Sequence, residues 1–353
     1  MKKAQKGKKA PPPCPAAAAP SPSPLDMFKD WKSDRVHKVV MENSRIRVGA
    51  VATQGPRPKM EDAYACVPDL DASSSFVALY DGHGGCAAAR YCAEHLHRRL
   101  VSDPHYKKRE FGRGLREVFA KMDRVMQSPA GAEELRKLAE ENKEVEGAGN
   151  CGTTAAAVLI LDDRLFVAHV GDSHCTLWRG NEAVAVTRDH KPETMPGDCE
   201  RAVRAGATVV KNKWLEIGSV NSRGEKGQFG LQMTRALGDF MWKSNAELEP
   251  EEQAVVAVPE VVEIDLRDGG CEFLVLASDG VPRECVESIC PSVHDWLLEE
   301  EEHRGRHGGG GAYQYQQGSM ELAFFCDRMQ SMSLEVDNKT VVLVHLKRFK
   351  PLA

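Results

Sequence analysis

Short apolar runs recur from Ile46 onward: IRVGAVA (46–52), SFVALY (75–80), TAAAVLIL (154–161), LFVAHV (165–170), EAVAVT (182–187), EFLVLAS (272–278) and TVVLVHL (340–346). They are rich in β-branched residues and bounded by Gly, Asp or Pro, a pattern that predicts strands. Elsewhere the apolar period lengthens to that of a helix. Ala88, Cys92, Leu96 and Leu100 form one i, i+4 stripe. Phe111, Leu115, Val118, Phe119, Met122 and Val125 form a fuller one. A short helix is expected from Asp198, as N-cap, to Gly206. The helical segments cluster instead of alternating with the strands, which favours an α+β fold over a doubly wound parallel sheet.

The pattern fails in four places. Residues 1–45 open with a Lys-, Pro- and Ala-rich stretch that buries too little apolar surface to offset chain entropy, and are expected to be mostly disordered. Residues 131–149 read as a charged insert. Residues 299–318 are an acidic run followed by a glycine run, expected as a mobile surface loop. In 281–297, Pro282 and Pro291 interrupt what would otherwise read as a helix. The folded body is therefore placed at 46–347, with 348–353 as a tail.

Composition narrows the class. The 353 residues suit one large domain or two small ones. No apolar run approaches the ~20 residues of a membrane helix, so no membrane partner is expected. The net charge of −5 hides an asymmetry. Residues 1–24 hold five lysines and no acid, leaving 42 basic against 52 acidic residues in the remainder. That acidic body argues against nucleic-acid binding. The eleven cysteines show no CxxC or zinc spacing, and the N-terminus has no secretory h-region. An intracellular chain with free thiols, in cytoplasm or nucleus, is expected.

The informative feature is where single carboxylates fall. SFVALY runs into Asp81-Gly82-His83-Gly84-Gly85, LFVAHV into Gly171-Asp172-Ser173, and EFLVLA into Ser278-Asp279-Gly280. Asp337-Asn338 stands just ahead of TVVLVHL, and Glu61-Asp62 form a further acidic pair. One Asp at a strand end is an ordinary turn residue. Several that converge cannot all stay ionised in a small space without counter-charge. Oxygen-only ligands suit Mg²⁺ or Mn²⁺ better than Zn²⁺, and two such ions can activate a water and polarise a phosphoryl oxygen.

At these residues the chain resembles the metal-dependent protein serine/threonine phosphatases of type 2C, plant members most of all. The matching segments occur in the family's order: RPKMED (57–62), YDGHGG (80–85), CGTTA (151–155), HVGDS (169–173), TRDHKP (187–192), ERAVRAGATV (200–209), QMTRALGDF (232–240), PEV (259–261), LVLASDG (274–280) and DNKTVV (337–342). The resemblance implies a four-layer α/β/β/α fold: two antiparallel sheets flanked by helices, with a metal cleft at one end. It also implies roles. Asp81 would bridge two Mg²⁺ or Mn²⁺ ions, with the Gly82 carbonyl on one of them and Asp279 and Asp337 on the other. Glu61 and Asp62 would hold the ions directly or through water. Arg57 would grip the substrate phosphate, and His83 would protonate the leaving seryl or threonyl oxygen. Metal-activated water would attack with no phosphoenzyme. A monomer acting on phosphoproteins follows from the same resemblance.

The chain departs from the family pattern after Asp279-Gly280. An Asp that helps bind a third, weaker ion in some members, together with Asp172 and Asp279, is replaced here by Arg283, so a third site is expected to be weakened or lost. Arg235 and Asp239 are expected to organise the substrate flap, and His190 to be structural. The flap, 209–230, includes Trp214 and gives no substrate. Two other classes compete. A cysteine phosphatase would need Cys-x5-Arg; only Cys92 and Arg98 have that spacing, on a helical apolar stripe and without glycine between. A pseudophosphatase that binds phosphoproteins without hydrolysing them is the alternative that keeps the fold.

Overall fold

The computed structural model describes residues 36–144, 150–220, 226–307 and 312–347. The expected tails, 1–35 and 348–353, lie outside that range, as do 145–149, 221–225 and the glycines of 308–311. The first strands are β1 (Val36–Glu42), β2 (Ile46–Thr53), β3 (Ala63–Asp71), β4 (Ser74–Tyr80) and β5 (Gly82–His83). Four helices follow: α1 (Ala87–Ser102), α2 (Pro104–Lys107), α3 (Phe111–Met126) and α4 (Pro129–Glu141). Next come β6 (Gly152–Thr153), β7 (Ala155–Leu161), β8 (Arg164–Val170), β9 (His174–Arg179) and β10 (Glu182–Ala185). Helix α5 (Pro196–Arg204) leads to β11 (Thr208–Val210), β12 (Trp214–Val220), β13 (Lys226–Leu231) and β14 (Leu237–Gly238). The chain closes with β15 (Glu260–Asp265), β16 (Cys271–Ala277), α6 (Arg283–His307), α7 (Ala312–Met332) and β17 (Lys339–Leu346).

Two antiparallel sheets form the centre, one ordered β1-β2-β17-β16-β9-β10 and the other β15-β8-β7-β4-β3. Their central strands read as continuous apolar runs because both faces are buried. On β4, Val77 and Leu79 enter the core between the sheets. Phe76, Ala78 and Tyr80 on the same strand enter a second core under α1, α3 and α4. A third core joins the six-stranded sheet to α6 and α7, with Phe273, Val275, Val341 and Leu343 against Val286, Val293, Cys326 and Met329. The layers are thus helix, sheet, sheet, helix, the α+β sandwich expected. A smaller cluster around Leu215, Met233 and Trp242 ties β11–β13 to α5.

Several expectations need correction. The folded body begins before Ile46, because β1 pairs along its whole length with β2. Its burial is only partial, as an edge strand allows, so its apolar pattern is weak. Of the expected charged insert at 131–149, residues 131–141 belong to helix α4, and 145–149 lie outside the described residues. Ser128 Oγ accepts the Gly131 N–H at the start of α4, and Leu135, Leu138 and Ala139 bury one face. The break expected at 281–297 is absent as well. Pro282 stands just before α6, where a missing N–H costs nothing. Pro291 is tolerated inside the helix, since Val286, Ile289, Cys290, Val293 and Leu297 pack on the sheet and offset the roughly 3 kcal/mol a mid-helix proline costs.

The expected loop at 299–318 is helical at both ends, with α6 running to His307 and α7 starting at Ala312. Its acids are not all solvated. Glu300 Oε2 accepts from Nη1 of Arg47 at 2.7 Å, and the Arg47 side chain is fully buried on β2. Finally, Asp198 does not cap α5. Met195 holds the N-cap position, and Asp198 lies in the first turn.

Candidate metal centre

All the carboxylates singled out in the sequence stand at one end of the sandwich. Asp81 follows β4, and Asp62 precedes β3, which pairs with β4 at that same end. Asp279 follows β16, and Asp337 precedes β17, again a paired end. Asp172 follows β8. Glycines let the strand ends close: a Cβ on Gly280 would collide with the Asn338 carbonyl, and one on Gly82 with the Glu61 carbonyl. Asn338 then fastens the 57–62 loop to this end. Its Oδ1 accepts the Glu61 N–H (2.8 Å), and its Nδ2 donates to the carbonyls of Gln54 and Lys59 (2.9 Å each). Thr153 and Thr154 hold Asp81: the Thr154 N–H and Thr153 Oγ1 donate to its carbonyl at 2.9 and 3.1 Å.

Electrostatics shows how closely the acids gather. Burial, then Asp62, Asp279, Asp172 and Asp337, push the Asp81 carboxyl well above the usual carboxylate range. Asp62 is raised to about 6, chiefly by burial and against the hydrogen bond from Thr340. Asp279 is raised to about 7 by loss of solvation and by Asp172 and Asp337. Glu61 is raised by burial and by Glu144. One oxygen is left over. Asp62 Oδ2 accepts from Thr340 Oγ1 at 2.7 Å, whereas its buried Oδ1 has no hydrogen-bond partner. Repelling carboxylates and an orphaned oxygen, with no sulfur or imidazole among them, fit hard divalent cations of the Mg²⁺ or Mn²⁺ type.

The two expected catalytic residues have partners. Arg57, half exposed, pairs through Nη2 with Asp337 and through Nε with the Val336 carbonyl. Nε2–H of His83 donates to Asp239 Oδ2 at 2.7 Å. Burial would lower the His83 pKa, but the charge of Asp239 and its hydrogen bond raise it overall. Asp239 was expected in flap organisation. It is instead the partner of His83, with left-handed backbone (φ 54°), and it packs against Gly152, where any Cβ would strike its carboxylate. Arg235 donates to both carboxylate oxygens of Asp198, in the first turn of α5, and to the Val258 carbonyl, partners that lie outside the 209–230 flap. Trp214 begins β12 and is 39% exposed.

Two further groups invite other chemistry and do not carry it. Cys92 is fully buried on α1, and burial drives its thiol far above the ordinary value, the opposite of a nucleophile. His169, His190 and Glu260 bring three possible ligand atoms within 4.8 Å of one another. However, the two imidazoles are stacked, 4.5 Å apart and 6° from parallel. Each nitrogen lone pair lies in its ring plane, so stacked rings aim side by side and not at one ion. The Gly171 N–H also fills Nδ1 of His190 at 3.1 Å, which leaves that ring's proton on Nε2.

Arg283 does not reach into the acid cluster. It donates to the carbonyls of Cys175 and Thr187 and lies 3.8 Å from Asp189. The cation on Asp172 is Lys191, with Nζ 3.0 Å from Oδ2.

A sandwich of two antiparallel sheets, covered by helices and bearing carboxylates at one end, is the class that the motifs imply. The chain belongs to the protein phosphatase 2C family, whose model matches residues 46–288. It is 31% identical to Probable protein phosphatase 2C 60 of Arabidopsis thaliana, over 88% of this chain and 89% of that one. It is 30% identical to Probable protein phosphatase 2C 11 of Oryza sativa subsp. japonica, over 87% of each. A serine-threonine phosphatase 2C from Toxoplasma gondii shares the fold, with a TM-score of 0.61 at 19% identity, over 88% of this chain and 99% of that chain. Among the described residues no helix is long and apolar enough to cross a membrane.

Proposed function

We propose that the chain hydrolyses phosphoserine and phosphothreonine in proteins, using water activated by two Mg²⁺ or Mn²⁺ ions. The observation that carries this is the convergence of Asp62, Asp81, Asp279 and Asp337 at paired strand ends, where burial raises the first three carboxyls and one buried Asp62 oxygen has no hydrogen-bond partner. Asp81, the Gly82 carbonyl, Asp279, Asp337, Glu61 and Asp62 hold the ions. When bound, the ions supply the nucleophile and polarise the phosphoryl oxygens.

The protein's own groups do the rest. The Arg57 guanidinium binds two phosphate oxygens and orients the group for in-line attack. This guanidinium also pairs with Asp337. His83 carries the proton for the leaving oxygen. Asp239 anchors Nε2–H, so Nδ1 is the nitrogen that passes its proton to the seryl or threonyl oxygen. Asp239 also raises the pKa of that imidazole against the cost of burial. The left-handed backbone at Asp239 is strain held in place by its Cys151 hydrogen bond and by the Gly152 contact.

The test is phosphate release from a phosphothreonine peptide. Release that requires added Mn²⁺ or Mg²⁺ and stops in EDTA is expected. Undiminished release in EDTA would overturn the mechanism. Peptide binding without release, from folded and metal-loaded protein, would favour the binding-only alternative.

A further inference from the structure

Besides Arg57 on Asp337, a second cation stands against the acid cluster. Lys191 Nζ donates to Asp172 Oδ2 at 3.0 Å, and the Asp172 side chain is almost wholly buried. The same ammonium feels Asp189 and Asp279, which with Asp172 favour its charge against burial. Its position is fixed through the backbone. The His190 N–H donates to the Gly171 carbonyl at 2.9 Å, the Gly171 N–H returns to His190 Nδ1, and the Thr234 N–H donates to the His190 carbonyl at 2.7 Å. Lys191 is therefore tied one residue away from a segment that is itself bonded next to Asp172. Arg283 adds a second positive charge nearby, held by the Cys175 and Thr187 carbonyls.

A third divalent ion at this corner would use Asp172 and Asp279. One of the Asp172 oxygens is already taken by an ammonium, which would lie within a few ångströms of the ion. The residues present do not fit a third ion. We propose that Lys191 is a built-in counter-cation: its ammonium neutralises Asp172 where a third divalent ion would otherwise sit, so the cleft takes two ions and no more. Arg283 is secondary, since it compensates Asp189 and leaves Asp172 to Lys191. This inference rests on the two-ion reading above.

Binding stoichiometry tests it without reference to turnover. Mn²⁺ bound to the full chain is counted by equilibrium dialysis, up to millimolar free ion, with circular dichroism to confirm folding. Wild type should bind two ions, and Arg283→Asp should still bind two because Lys191 remains. The double variant Lys191→Met with Arg283→Asp should bind three. A third ion in wild type or in Arg283→Asp overturns the inference, as does a double variant that stays at two. The wild-type arm decides even if a variant fails to fold. A wild type that binds no Mn²⁺ would instead sink the two-ion reading, and this inference with it.

Discussion

The support under Asp239 is the place where a small change should have the largest structural effect. Asp123 on α3 is buried; its Oδ1 accepts the Gly238 N–H at 2.9 Å, and its Oδ2 accepts from Lys243 at 2.5 Å. Lys243, equally buried, also donates to the Ala236 carbonyl at 2.7 Å. The pair thus anchors Ala236–Asp239, the segment that carries the partner of His83. Burial raises the Asp123 carboxyl despite Lys243 and the Gly238 N–H. The folded chain therefore binds this proton more tightly than the unfolded one. Its contribution to stability falls as pH rises from the unfolded to the folded pKa, and stays low above that. Burial thus offsets part of what the Lys243 ion pair contributes, and breaking the pair should be costly.

Asp123→Asn keeps an acceptor for Gly238 but strands the Lys243 ammonium, which should cost about 3–5 kcal/mol. Adding Lys243→Met removes the stranded charge and should restore about 2 kcal/mol or more of that loss. Urea denaturation followed by circular dichroism reads both values. A single variant within about 1 kcal/mol of wild type, or a double variant no better than the single, would refute the reasoning.

Other consequences can be checked singly. Asp239→Asn should lower kcat by about 10²-fold with little change in KM, and move the alkaline limb of the pH profile to lower pH. The sign follows because Asp239 holds the His83 pKa up and the acid works only when protonated; an unmoved limb would remove His83 as the acid. Arg57→Ala should weaken phosphopeptide use by about 10–100-fold in kcat/KM, the value of one or two charged hydrogen bonds. Metal should stabilise the fold by about 2.7 kcal/mol at a hundred times Kd. Because the folded pKa values of Asp62 and Asp279 are raised to about 6 and about 7, the metal-free chain gains stability as pH falls through that range. The Tm gap between Mn²⁺ and EDTA should therefore narrow on going from about pH 7.5 to about pH 5.5, and a constant gap would contradict it. Cys92→Ser should leave phosphatase activity intact, since that thiol is buried in the core; loss of activity in folded protein would count against it.

The sequence disclosed the central strands because they are buried on both faces, which leaves long apolar runs that need no partner to be recognised; the sandwich they form followed only from the resemblance to the type 2C phosphatases. It hid β1, whose edge position leaves Val36 and Lys38 exposed and the rest of the strand only half-buried. It also hid α6, where proline is a strong local signal but packing on the sheet outweighs it. The strand-end carboxylates were legible because each lies beside its own apolar run. Their partners were not, because such contacts join distant segments. His83 and Asp239 are 156 residues apart, and nothing local links Glu300 to Arg47 or makes Lys191 the cation on Asp172. One local signal was present: Gly152, the glycine of CGTTA, pairs with His83 across β5 and β6 and stands where a Cβ would strike Asp239.

The central claim is that the strand-end carboxylates act by holding metal, with Asp81 at the middle. The most direct test is a Mn²⁺ titration of phosphate release from a phosphothreonine peptide, run on wild type and on folded Asp81→Asn. The account predicts saturable activation of the wild type, and a variant at least about 10³-fold slower that excess Mn²⁺ does not rescue. Near-normal turnover by Asp81→Asn, or wild-type turnover indifferent to Mn²⁺, would contradict it.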